Sequence, residues 1–236
     1  MTSASPPLLA SLAESLRGIR PDGVEPPPAL LDARVERVPM PGDAPPLLLV
    51  RPEDWSALRA AEQEAGRSVP YWAVPWPSGL ALARTLTETP PPRGTRVLEL
   101  GCGLGLPSVA AARGGARVLA TDGSPDAAVY AAHTLALNEV EADVLPADWR
   151  AAADELEAEP FDLVLAADVL YLRENVESLV RLLPRFVKPG GEIVLADPGR
   201  AGTAEFLPIA RRIWHHTAEP AASDPERVRL HRLRPR

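Results

Sequence analysis

Three glycines at alternating positions, Gly101-Cys102-Gly103-Leu104-Gly105, follow the apolar run Val97-Leu98-Glu99-Leu100. Glycine admits positive φ and lets a ligand approach the backbone closely. A turn of this kind at the start of a helix also presents backbone N–H groups. Glu99 stands just before the turn, and Asp122 ends the next apolar run 21 residues after Gly101. An acid there can accept from both hydroxyls of a ribose. Asp148-Trp149 follows a third run, so a carboxylate suited to an adenine amino group lies beside an indole suited to a ring face. Glu99, Gly101, Gly103, Gly105, Asp122, Asp148 and Trp149 are therefore the expected binding residues for an adenosine-containing cofactor. Asp122 alone does not separate NAD from another adenosine cofactor. The spacing G-x-G-x-G does bear on it, because a dinucleotide fingerprint would require glycine where Leu106 stands.

Three further groupings carry polar or aromatic chemistry. Asp168-Val169-Leu170-Tyr171 and Asp197-Pro198-Gly199-Arg200 each follow an apolar run. Upstream, Pro70-Tyr71-Trp72-Ala73-Val74-Pro75-Trp76-Pro77-Ser78-Gly79 places three of the chain's eleven aromatics within six residues. Prolines stiffen this segment, so its rings lose little further entropy on ordering.

The elements that must hold these residues are legible from Thr95 onward. Short apolar strands at Arg96–Leu100, Arg117–Thr121, Asp143–Ala147, Phe161–Ala167 and Glu192–Ala196 alternate with helices at Pro107–Arg113, Pro125–Leu137, Glu174–Phe186 and Thr203–Ile213. That alternation predicts an α/β, Rossmann-like doubly wound sheet, mostly parallel and covered on both faces. Val228–Leu233 alternates and is expected as an antiparallel last strand. In such sheets ligands bind outside the carboxyl ends of the strands, where Glu99, Asp122, Asp168 and Asp197 all fall. Residues 1–69 read as a proline-rich N-terminal extension with short helices and a strand (Leu8–Leu16, Pro52–Ala65 and Leu47–Val50), loosely packed over its first 45 residues. Residues 70–236 read as the cofactor-binding domain.

Composition bounds the rest. The chain has 236 residues, 46% of them hydrophobic and 24% charged, which is ordinary globular material. A net charge of −7 argues against a sequence-independent grip on nucleic acid. No apolar run reaches the roughly 18 residues of a membrane span, and residues 1–20 lack the pattern of a signal peptide. With Cys102 as the single cysteine, no intramolecular disulfide and no cysteine-based zinc site is expected, and a reducing cytoplasm is the simplest compartment. His133 is expected to be structural. His215 and His216 fall on a late strand or turn, and no metal site can be assembled around them.

Taken as a set, the glycine turn, Glu99, Asp122 and Asp148-Trp149 resemble the class I (seven-strand) S-adenosyl-L-methionine (SAM) methyltransferases over about residues 95–200. Trp76-Pro-Ser-Gly and Asp168-x-x-Tyr171 are similar to the tryptophan and D-x-x-Y motifs of the protein lysine methyltransferases in that class. Pro-Tyr-Trp-Ala, Trp-Pro-x-Gly and Asp197-Pro-Gly-Arg200 resemble those acting on the electron transfer flavoprotein β subunit. The residue after Tyr171 is Leu172, where that group often carries an acid. The resemblance implies SAM as cofactor and S-adenosyl-L-homocysteine as product. It implies Trp76 beside the cofactor, Asp168 and Tyr171 at the reacting amine, and Asp197 and Arg200 toward the substrate. The implied partner is a protein lysine or a small amine. A nicotinamide-type small-molecule N-methyltransferase and a non-catalytic SAM-fold binding protein remain open alternatives at this stage. An NAD-dependent oxidoreductase is disfavoured by Leu106 and by Glu99 before the turn.

Overall fold

A computed structural model describes residues 2–149, 159–224 and 226–236. The N-terminal part contributes β1 (Thr2–Ser3), α1 (Pro6–Gly18), α2 (Pro28–Leu31), β2 (Ala33–Val38), β3 (Leu47–Pro52), α3 (Trp55–Glu64), a 3-10 turn at Tyr71–Ala73 and α4 (Pro77–Glu88). Strands β1, β2 and β3 form an antiparallel sheet in that order. Helix α3 begins after Pro52 has closed β3, because Asp54 caps it by accepting from the N–H groups of Ser56 and Ala57 at 2.8 and 3.0 Å.

The alternating region follows as β4 (Arg96–Leu100), α5 (Leu106–Arg113), β5 (Arg117–Asp122), α6 (Pro125–Leu137), β6 (Asp143–Pro146), β7 (Phe161–Ala167), α7 (Arg173–Phe186), β8 (Val187–Asp197), α8 (Ala201–Ile213), β9 (Trp214–Pro220) and β10 (Arg229–Pro235). The main sheet has seven strands in the order β6-β5-β4-β7-β8-β10-β9. The first five are parallel, and β10 runs antiparallel to both β8 and β9. The expected doubly wound sheet with an antiparallel last strand is thus the observed one. β9 adds a strand that the histidine-rich segment at 215–216 left ambiguous between strand and turn.

Period-two alternation divides the core into two layers. Val97, Leu163, Leu165 and Val194 face α5, α6 and the N-terminal segment. Leu98, Leu100, Val164, Ile193 and Leu195 face α7, α8 and Trp149. The chain winds outward from β4 to β6 and then returns to β7 on the other side of β4. The strand order therefore reverses between β4 and β7, which opens a crevice at their carboxyl ends.

The first 45 residues are not loosely packed. Leu12, Leu16 and Leu30 are fully buried and share one core with Val97 and Tyr130. Helix α6 also completes the pairing of β3 through side chains. Asn138 accepts from the Leu48 N–H at 2.9 Å and donates to its carbonyl at 2.6 Å, and Thr134 accepts from the Val50 N–H at 3.2 Å. Tyr130 donates to the Leu30 carbonyl at 2.8 Å. Proline density suggested looseness, but the leucines between the prolines supply a buried face. His133, as expected, plays a packing role, lying 3.2 Å from the Ser15 hydroxyl. No helix among the described residues is long and apolar enough to cross a membrane.

Candidate active site

Strand β4 ends in the glycine turn, where Gly101, Gly103 and Gly105 all have positive φ, at 67°, 53° and 81°. All three are also closely packed: a Cβ on Gly101 would lie 3.1 Å from a Val169 methyl. A Cβ on Gly103 would lie 3.2 Å from the Trp72 carbonyl, and one on Gly105 would lie 3.2 Å from the Ala131 methyl. The turn is tied to β5 twice, since the Cys102 N–H donates to the Thr121 carbonyl and the Gly103 N–H donates to Asp122 Oδ2, both at 2.9 Å. The second Asp122 oxygen accepts from the Ser124 N–H at 2.9 Å, just before α6. Asp122 is thereby fixed at the edge of the crevice, whose wall it forms in part.

Glu99 points inward from β4 and is 1% exposed. Its carboxyl is hydrogen-bonded to the Ser108 hydroxyl in the first turns of α5. Burial pushes its pKa up to about 8, against the lowering effect of the Ser108 hydrogen bonds and with a further increment from Asp122. Burial likewise raises the Cys102 thiol. Asp148 lies against Gly123, where a Cβ would meet its side chain at 3.4 Å. Trp149 is 5% exposed and belongs partly to the core under α7 and partly to the cavity wall.

Across the crevice, β7 ends at Asp168, a non-glycine residue with φ of 57°. Its N–H donates to the Ala196 carbonyl at 2.9 Å, continuing the strand pairing through the bend. Arg200 holds its carboxylate with both prongs of the guanidinium, Nε to Oδ1 at 2.7 Å and Nη2 to Oδ2 at 3.0 Å. This contact raises the Arg200 pKa further above its ordinary value. Asp197 is 1% exposed and sits behind Arg200. Its Oδ1 accepts from the Gly199 and Arg200 N–H groups at 2.7 and 2.8 Å, so it shapes the turn that launches the arginine.

The aromatic segment roofs the site. Trp76 donates to the Tyr71 carbonyl at 2.7 Å, and Trp55 donates to the Pro70 carbonyl at 3.2 Å. The Tyr71 ring lies between Trp76 (centroids 6.1 Å apart) and Tyr171 (5.8 Å, edge-on), and the Trp72 ring rests on Tyr130 at 5.3 Å. Tyr171 is 47% exposed, at the outer rim.

One cavity of about 960 Å³ joins these parts. Trp76, Glu99, the three glycines, Asp122, Asp148, Trp149, Asp168, Tyr171 and Arg200 all line it, whereas Asp197 does not. The structure adds Leu30, Leu58 and Arg67 from the N-terminal part and Asn175 from α7. Arg67 is anchored by Glu62 at 2.7 and 2.8 Å. These residues carry no motif, and only the packing of the N-terminal segment against α6 brings the first three to the cavity.

Residues 56–207 match the sequence profile of a family described as lysine methyltransferase. The chain belongs to the lysine methyltransferase family. It is 39% identical over 150 residues to the electron transfer flavoprotein beta subunit lysine methyltransferase of Xenopus laevis, covering 61% of this chain and 58% of that protein. It is 36% identical over 136 residues to the Homo sapiens protein of the same name, covering 56% and 51%. The chain thus spans little more than half the length of these relatives. Among solved structures, a TehB-like SAM-dependent methyltransferase from Corynebacterium glutamicum superposes with a TM-score of 0.57 at 21% identity, covering 78% of this chain and 97% of the other. The N-methyltransferase NodS from Bradyrhizobium japonicum, in complex with S-adenosyl-L-homocysteine, superposes with a TM-score of 0.51 at 21% identity, covering 75% and 96%. These two similarities establish the shared fold.

Proposed function

We propose that this member of the lysine methyltransferase family transfers methyl groups from SAM to the side-chain amine of a protein lysine. The observation that carries the reading is one cavity with two chemically distinct ends at the switch point of the sheet. At one end the positive-φ glycine turn and Asp122 form a cradle for a nucleoside amino acid; at the other Asp168 offers a carboxylate. The cradle fits the cofactor because three glycines at positive φ line the cavity without side chains, and a Cβ on Gly103 or Gly105 would press on Trp72 or Ala131. Its volume of about 960 Å³ accommodates a ligand of that size together with a lysine side chain.

Bound SAM supplies an electrophilic methyl on a positively charged sulfur, so that the new C–N bond forms as the C–S bond breaks. The residues of the chain then have to position the partners. Asp122 receives the ribose hydroxyls, Asp148 the adenine amino group and Trp149 the ring face, with Trp76 on the roof beside the sulfur. Asp168 accepts from the N–H of the neutral target amine and aims its lone pair, and Tyr171 closes the outer rim. The amine's extra proton leaves to water before transfer, so neither residue need act as a base. Residues 1–69 serve as an extension that walls and roofs the site carried by residues 70–236.

The names of the relatives support the electron transfer flavoprotein β subunit as the protein substrate, and the single, buried Cys102 fits a reducing, cytoplasmic setting. The first test is calorimetry with SAM, S-adenosyl-L-homocysteine and NAD, followed by labelled-methyl transfer to that subunit with the labelled residue located by mass spectrometry. Binding of the first two without NAD, and label on a lysine, is the expected result. Label only on small amines would overturn the substrate assignment, and failure of the folded protein to bind SAM would overturn the function.

A further inference from the structure

Asp168 meets its target amine with a cation already attached. Arg200 covers both carboxylate oxygens at 2.7 and 3.0 Å, and the turn carrying Arg200 is itself fixed by the buried Asp197. Asp168 adopts a φ of 57°, a conformation that costs a non-glycine residue energy and persists only where the surroundings impose it. The geometry is therefore built rather than incidental. An isolated carboxylate beside an amine favours the ammonium form, which has no lone pair with which to attack. A guanidinium gripping that carboxylate offsets its field, while each oxygen keeps a lone pair for an incoming N–H.

We propose that Arg200 is a positioning residue that neutralises Asp168, so that the pair orients the target lysine amine without raising its pKa. The inference rests on lysine methylation as the reaction. The other titratable groups facing the pair are Asp197 from the turn after β8, Tyr71 from the roof and Tyr171 from the segment before α7. Glu62, Arg67, Glu99, Cys102, Asp122, Asp126 and Asp148 line the remainder of the cavity, and burial raises the Cys102 thiol above its ordinary value. Glu99 titrates near the working range, at about 8. It is unchanged in the Arg200 and Asp168 variants, so its titration is common to every profile compared.

The test is the pH profile of kcat from about pH 6.5 to about pH 11.5, a range that spans the ordinary lysine pKa, at saturating SAM, for wild type, Arg200→Met and Arg200→Lys. The probe is the electron transfer flavoprotein β subunit, with the labelled lysine mapped. In Arg200→Met the midpoint of the rise should move up on the order of one pH unit. Its deficit should be roughly tenfold well below the wild-type midpoint and should shrink as pH rises through both midpoints. Arg200→Lys should keep the wild-type midpoint. Calorimetry near neutral pH adds a readout apart from turnover, because Arg200→Met should bind the unmethylated substrate as tightly as wild type or more tightly. A loss by the same factor at every pH, or weaker substrate binding with an unmoved midpoint, overturns the proposal. The latter result would instead make Arg200 a clamp for a substrate carboxylate. Should Arg200→Met not fold, Asp168→Asn leaves the Arg200 charge unopposed and should move the midpoint down; an unmoved midpoint there is equally fatal. Absence of any labelled lysine overturns the function and this inference with it, whereas a labelled lysine with unmoved midpoints overturns this inference alone.

Discussion

Replacing Glu99 by glutamine exchanges a group that stays neutral in the fold only by holding a proton for one that is always neutral. The carboxyl is 1% exposed, with the Ser108 hydroxyl as its hydrogen-bond partner, and burial moves its pKa from 4.5 to about 8. Between those two values the folded chain holds a proton that the unfolded chain has released. Stability therefore falls as pH rises. The contribution is fully present below the unfolded value and is lost as pH rises through about 8. That interval corresponds to about 5 kcal/mol at about 1.4 kcal/mol per pH unit. For a chain of this length the equivalent change in Tm is roughly 10–20 °C. Scanning calorimetry of wild type and Glu99→Gln across pH should give nearly coincident Tm values near pH 5. A gap in favour of the variant should then widen to about that size by pH 8 and flatten above it. Every other titrating group is common to both proteins, so the difference isolates Glu99. Parallel Tm curves would show that the carboxyl is solvated or ionised in the fold, and the reasoning about its burial would be refuted.

Asp122→Ala removes the ribose acceptor and the anchor of the Gly103 N–H, and should weaken SAM binding by about 10- to 100-fold in calorimetry; a change under about threefold would remove Asp122 from the cofactor site. Asp168→Asn should lower kcat by about 100-fold while leaving the SAM Kd within about threefold, and unchanged turnover at saturation would end its aiming role. Leu12→Ala, at a fully buried position of α1, should cost about 2–5 kcal/mol in urea unfolding. A loss below about 0.5 kcal/mol would mean that the N-terminal segment is not part of the core.

The alternating half of the fold was legible because its signals agree. Apolar runs, proline at helix starts and acids at strand ends each mark the same boundaries, and helix α6 and strands β4 and β7 fall where the pattern places them. In the N-terminal part α1, β3 and α3 fall on the expected stretches, but β1, α2 and β2 were not legible, because the small sheet there is held by unlike partners. The exposed and half-exposed residues of β2, Arg34 to Arg37, show no clean alternation, and β3 is paired on one side by side chains of Thr134 and Asn138 about 90 residues away. Glu99, the three glycines, Asp122 and Asp148 were readable as neighbours in one cavity because their order along the chain mirrors the order of β4, β5 and β6 in the sheet. Leu30, Leu58 and Arg67 reach the same cavity only through tertiary packing, which leaves no trace in spacing.

Four acids end four strands of this sheet, and the structure gives each a different state. Glu99 is buried against a hydroxyl and held on the neutral side by desolvation. Asp122 is braced by two backbone N–H groups, one from the glycine turn and one from the start of α6, and lines the crevice. Asp168 faces the same cavity with a guanidinium across both oxygens. Asp197 has turned away from the cavity to shape the backbone of its own turn. Position at a strand end is therefore necessary for a role here but does not determine which role. The partners that the fold supplies to each carboxylate do determine it. Asp122 and Asp168 both line the cavity, whereas Asp197 shapes the turn that carries Arg200 and Glu99 is buried against α5.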